Sequence, residues 1–113
     1  DLIKRNPAGI KALLKGMMKA QHMAETQPDD ALKILVGPYY KTSMENAKIA
    51  MNKQRSVVDA RSQTQFILDR VESIKEMGYI NSKPGRDAID WTLLEATIAE
   101  NKDLWSELKY KTA

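Results

Sequence analysis

The chain has 113 residues, no cysteine, and 18 Lys+Arg against 15 Asp+Glu, a formal net charge of +3. Without cysteine there is no disulfide, no cysteine-ligated zinc or iron–sulfur site and no thiol nucleophile. At 42% hydrophobic and 29% charged residues, with five Gly and four Pro, the composition excludes disorder and low complexity. One unit with a radius of gyration of about 13 Å is expected for a close-packed chain of this size.

Asn6-Pro7 opens the first element, with a capping side chain before a proline whose missing N–H costs nothing at the first helical position. Ile10, Leu13, Leu14, Met17, Met18 and Ala24 recur with helical spacing, predicting a helix over about 7–25 with these residues on its inner face. Lys11, Lys15 and Lys19 lie four apart on another face. Gln27-Pro28-Asp29-Asp30 starts a short second helix, which Gly37-Pro38 ends. Tyr39 and Tyr40 fall in the connection, their rings expected on the core and their hydroxyls in water.

Thr42-x-x-Glu45 fits a capping box for a helix over about 43–53, whose thin stripe of Met44, Ala47 and Met51 predicts the least buried element. After an extended step at Val57-Val58, Asp59 is placed to cap a further helix. That helix carries Phe66, Ile67, Val71, Ile74 and Met77 to a terminating Gly78, with Tyr79 or Ile80 closing over its end. Asn81 to Gly85 is a loop. A last helical stretch starts near Asp90, breaks near Asn101 and ends with Leu104, Trp105 and Leu108. With no strand pattern and no internal repeat, the chain reads as all-α, a compact unit of five or six helices in a single domain over 1–113.

The residues that carry chemistry are few. His22 is the single histidine and has no partner at metal-ligand spacing, so it reads as a surface residue near a helix end. None of Ser43, Ser56, Ser62, Ser73, Ser82 and Ser106 sits in a nucleophile elbow. Asp29, Asp30, Asp87 and Asp90 precede apolar helical runs and read as helix starters before they read as acid–base pairs. The glycines form no phosphate cradle. Met17, Met18 and Met23 fit core filling better than an adaptable binding groove. Lys11, Lys15 and Lys19 read as a solvated ridge, with a docking strip for an acidic partner as the alternative. Like charges never run longer than two, which disfavours a nucleic-acid groove. No catalytic, metal or cofactor site is expected, and the chain is not expected to be an enzyme. No membrane span or signal peptide is visible.

Several segments in order resemble a known family. The run Asn6 to Gln21 has the form NPxxxKALLKxxxKAQ, followed by Ala24-Glu25-x-x-Pro28-Asp29-Asp30-Ala31-x-Lys33-Ile34-Leu35. Val58-Asp59 and the helix from Gln65 to Met77 with Gly78-Tyr79-Ile80 continue the pattern. Together these resemble the carboxy-terminal helices of ABC-transporter periplasmic substrate-binding proteins of the nitrate/sulfonate/taurine and thiamine-precursor type. The likeness covers about 1–80, and 81–113 more loosely through Lys83-Pro84 and Ile89-Asp90.

The resemblance implies part of one lobe of a bilobal α/β binder that closes on a small solute and delivers it to a membrane permease, in the periplasm or outside the cell. The family's cleft is made largely by preceding chain, so no ligand-binding residue carries over. Since the chain starts at Asp1 and not at Met, it is expected to be a carboxy-terminal fragment, with self-association one way to cover its helices. The alternative is a stand-alone helical interaction module that docks a partner through its Met-lined face.

Overall fold

The computed structural model describes residues 2–113, and within them the chain is all-helical. The helices are α1 (Leu2–Arg5), α2 (Pro7–Thr26), α3 (Pro28–Leu35), α4 (Met44–Lys53), α5 (Thr64–Glu76), α6 (Thr92–Glu100) and α7 (Lys102–Glu107). Single 3-10 turns precede α5 and α6, at Arg61–Gln63 and Arg86–Ala88. Five helices of eight residues or more match the expected number, and α1 is a short helical turn that the sequence reading did not anticipate.

Helix starts follow local chemistry. Asn6 Oδ1 accepts from the Gly9 amide at 2.9 Å while Pro7 occupies the first turn, as the Asn-Pro pair predicts. Asp29 and Asp30 sit in the first turn of α3, and Asp90 Oδ1 accepts from the Thr92 amide at 2.9 Å at the head of α6. The Thr42–Glu45 capping box does not form: Ser43 is the cap of α4, its Oγ accepting from the Asn46 amide at 3.2 Å. One residue decides this, because Ser43 offers the same hydroxyl one position closer to the apolar stripe. Helix ends follow too. Gly37 (φ 96°) and Gly78 (φ 80°) adopt the left-handed conformation that costs other residues strain, and the Tyr79 amide returns to the Ile74 carbonyl at 3.1 Å across the end of α5.

Packing centres on α2, which lies against α6, α3 and α7, while α4 packs on α3. Met18, Leu32, Leu94 and Leu108 are buried where these meet, with Ala31 and Ala47 at the α3–α4 contact. The inner face of α2 is rotated from the expected stripe. Met18 and Gln21 are buried and Leu14 half-buried, whereas Leu13 (61% exposed) and Met17 (47%) face outward. The stripe was wide enough to fit two orientations, and the polar bonds of Gln21 select one of them.

Two further expectations are corrected. Tyr39 and Tyr40 are 72% and 55% exposed, so their rings do not cover the core. The least buried of the longer helices is α5, which has no buried residue, and not α4. Phe66 and Met77 are mostly exposed because α5 packs little on the other helices. That arm and the loop beyond it help to raise the radius of gyration to 16.7 Å, above the close-packed expectation.

The rotation of α2 has a measurable consequence. Met18→Ala is expected to cost about 2–5 kcal/mol by leaving a cavity, whereas Leu13→Ala, on the exposed face, changes stability by less than about 1 kcal/mol. Urea unfolding of the two variants measures both, and equal losses would show that α2 is oriented as the sequence stripe implies.

Candidate functional site

Two features set apart the surface around α2: a bracket of buried polar groups on one side and an open apolar groove on the other. In the bracket, the Gln21 carboxamide is fully committed although the residue is only 3% exposed. Its Nε2 donates to Glu25 Oε1 at 2.7 Å and to the Tyr110 carbonyl at 2.8 Å, and its Oε1 accepts from the Val58 amide at 2.8 Å. Glu25, one turn on, accepts from the Lys109 amide at 2.6 Å and the Tyr110 amide at 3.2 Å. Neither the 56–60 segment nor the 108–113 tail has helical partners of its own, so side chains of α2 supply them.

Asp59 is 1% exposed and works beside this bracket. It does not cap a helix directly. Its carboxylate takes Arg61 Nε at 2.9 Å, Nη2 at 2.8 Å and the Arg61 amide at 3.1 Å, and its carbonyl accepts from the Ala113 amide at 3.0 Å. Arg61 also reaches Glu95 at 3.5 Å. The tail is further held by Ser62 Oγ, which donates to the Ala113 carbonyl at 2.8 Å, and by Arg55 stacked 4.2 Å over the Tyr110 ring. Lys111 Nζ donates to the carbonyls of Trp105, Ser106 (2.9 Å) and Leu108 (2.5 Å), satisfying the end of α7.

The groove runs between α2, α3 and α4, with a volume of about 700 Å³. Met17, Met23, Ile34, Leu35 and Met51 line it, with Arg55 and Val57 at one side. A neighbouring opening of about 710 Å³ lies between α3 and α4, bordered by Tyr39, Tyr40 and Asn46. Both are open to solvent, and neither gathers a nucleophile, a base and an oxyanion donor.

The residues singled out from sequence are scattered. His22 Nδ1 lies 3.6 Å from Glu107 Oε2, near the end of α2. Asp29 pairs with Lys48 of α4 at 2.9 Å and joins the two helices, whereas Asp30 pairs with Lys33 one turn on within α3 at 2.9 Å. Among the described residues no group of three His, Cys, Asp or Glu is placed to hold a metal ion. Of the three lysines, Lys11 reaches Glu100 of α6 at 2.6 Å, while Lys15 and Lys19 remain exposed. Met18 is core, and Met17 and Met23 line the groove. Sequence reasoning missed Gln21 and Glu25, whose (i, i+4) spacing on the inner face of α2 was the available signal.

Charge is also less evenly spread than the short like-charge runs imply. From Leu2 to Ala24 there are five Lys or Arg and no Asp or Glu, whereas 25–113 hold 13 and 14. The net positive charge of the chain therefore resides on α1 and the first five turns of α2.

Burial pushes the Glu25 carboxyl up, but hydrogen bonds from Gln21, Lys109 and Tyr110, with His22 nearby, bring it below the usual carboxylate range. Hydrogen bonds from the Arg61 side chain hold Asp59 below that range against its burial, and the Arg61 amide adds to them. Both groups bind protons more weakly folded than unfolded. Their contribution is complete above the unfolded values near pH 4 and is lost as pH falls through the lower folded values. The thermal midpoint is expected to be level above about pH 5 and to drop below about pH 4. Asp59→Asn lowers the midpoint at neutral pH and makes the acid decline shallower; an unchanged decline would place its origin elsewhere. The chain matches no protein-family model, and comparison with curated proteins and with solved structures gives no match.

Proposed function

We propose that this chain is the carboxy-terminal helical portion of an ABC-transporter solute-binding protein, serving uptake by recognition and not by catalysis. The observation that carries this reading is the open apolar groove between α2, α3 and α4. Helices that belong to an α/β lobe cover a sheet and leave an apolar face where the sheet lies. A groove lined by Met17, Met23, Ile34, Leu35 and Met51 is a surface of that kind. The order of the Asn6–Gln21 run, the Pro28-Asp29-Asp30 start and the Gly78 stop supports the same reading.

Under it the solute is held mainly by chain that precedes these helices, and no residue of 2–113 is assigned a ligand contact. The protein acts in the periplasm or outside the cell, and its partner is a membrane permease; nucleic acid is not one. On this reading the protein meets the membrane through the transporter; no described helix is long and apolar enough to cross a membrane.

A second reading has an observation of its own. Three methionines, Met17, Met23 and Met51, from two helices converge on the groove, and flexible thioethers suit the docking of a partner helix. Under this reading the chain is a stand-alone interaction module.

Sequencing the gene upstream of the Asp1 codon separates the two. The first reading expects an in-phase frame with an export signal and roughly one to two hundred residues of alternating strand and helix. The encoded full-length chain is then expected to bind nitrate, a sulfonate such as taurine, or a pyrimidine precursor of thiamine. An initiator codon directly before Asp1 would overturn this reading in favour of the second.

A further inference from the structure

Two helix faces lack a partner, and their chemistry is complementary. On α2, at 100° per residue, the surface opposite the core runs from Lys15 and Lys19 across Ala12, Gly16 and Ala20 to Leu13 and Met17. All seven are exposed. Lys15 and Lys19 have no ion-pair partner among the described residues, unlike Lys11. On α5 the surface runs from Glu72, Glu76 and Asp69 across Ser73 to Phe66, Ile74 and Met77 just beyond its end, with Arg70 lying over the Phe66 ring at 4.8 Å. Among the described residues, exposed Glu76 has no ion-pair partner and Glu72 meets Lys83. Phe66 is 54% and Met77 63% exposed.

The order of charge, small residue and apolar residue has the same rotational sense on both helices. Facing helices bring matching groups together only when antiparallel, because reversing one helix reverses its sense of rotation. Aligned that way, Lys15 falls opposite Glu76 and Lys19 opposite Glu72. Antiparallel alignment also sets the helix dipoles favourably. Ala12, Gly16 and Ala20 give a low ridge on which a second helix approaches closely, and a Cβ built on Gly16 meets nothing within 4 Å. Within one chain the two faces do not meet, since α2 packs on α3, α6 and α7 and not on α5.

We infer that the outer face of α2 binds α5 of a second copy of this chain, antiparallel and through Lys15–Glu76 and Lys19–Glu72 pairs. Each chain presents both faces, so a twofold axis satisfies α2 on α5′ and α2′ on α5 together and closes the assembly as a dimer. An anionic bilayer fits the face less well: the lysines border the apolar residues on one side only, whereas a helix lying in a membrane interface carries its cations around the apolar face. Met17 is shared with the groove, but the Lys15 and Lys19 pairs lie on the other edge of the face and leave the groove open.

Sedimentation velocity of the 113-residue chain over a concentration series tests it. The expected mass rises from monomer to dimer and stops there. Lys15→Glu with Lys19→Glu weakens dimerisation at least tenfold, and Glu72→Lys with Glu76→Lys does the same. All four changes in one chain restore it, since the pairs are then reversed and not removed. The sites are exposed, and circular dichroism confirms that each variant is folded. A monomer at every concentration overturns the inference, as do a dimer indifferent to the reversals, a loss that the fourfold variant does not restore, and masses growing past the dimer. Binding of the monomer to phosphatidylglycerol vesicles without dimer formation would assign the basic face to a membrane and overturn it equally.

Discussion

The side chain of Gln21 is the constraint on which much of this structure rests. A buried carboxamide with one partner missing costs on the order of 1–3 kcal/mol, so its three bonds stand or fall nearly together. They determine which face of α2 turns inward, where the extended segment at Val58 runs and where the tail returns at Tyr110. Contacts among apolar residues alone would tolerate several rotations of α2, because its hydrophobic stripe is broad. Polar groups that must be satisfied do not allow that latitude.

The molecule consequently divides into parts of different character. Around α2, helices α3, α6 and α7 close over Met18, Leu32, Leu94 and Leu108, and buried polar bonds tie the non-helical segments to them. Asn101 adds a break that lets the chain turn between α6 and α7, its side chain donating back to the Thr97 carbonyl at 2.8 Å. Outside this body, α5 is anchored at its start, where Trp91 Nε1 donates to Thr64 Oγ1 at 3.0 Å, and presents most of its apolar side chains to water. On this helix the apolar pattern of the sequence and the cover that the fold supplies do not coincide.

Much of the architecture was legible in the sequence because helix ends are written in local chemistry. Asn6-Pro7, Pro28-Asp29-Asp30, Gly37, Gly78, Asp90 and Asn101 each mark a boundary through the backbone geometry or the orphan amide they serve. What could not be read was which apolar residue is covered. Phe66 and Tyr40 have the composition of core residues and the exposure of surface ones, since cover depends on groups distant in sequence. The polar bracket escaped for the same reason: Gln21 and Tyr110 are 89 positions apart, and nothing local announces their meeting. The open groove between α2, α3 and α4 was likewise out of reach, since it is formed by residues from three helices.

The way the tail is held has a consequence for how this protein can vary. Gln21 and Glu25 grip main-chain atoms of residues 109 and 110, groups that every non-proline residue presents alike. Recognition of this kind is blind to side chains. Substitution should therefore drift readily at Lys109, whose own side chain is exposed, while positions 21 and 25, which look like ordinary polar residues of a helix, hold their identity. Among relatives of this chain, a silent glutamine inside a lysine-rich helix would be a better marker of the fold than the sequence of the tail it secures.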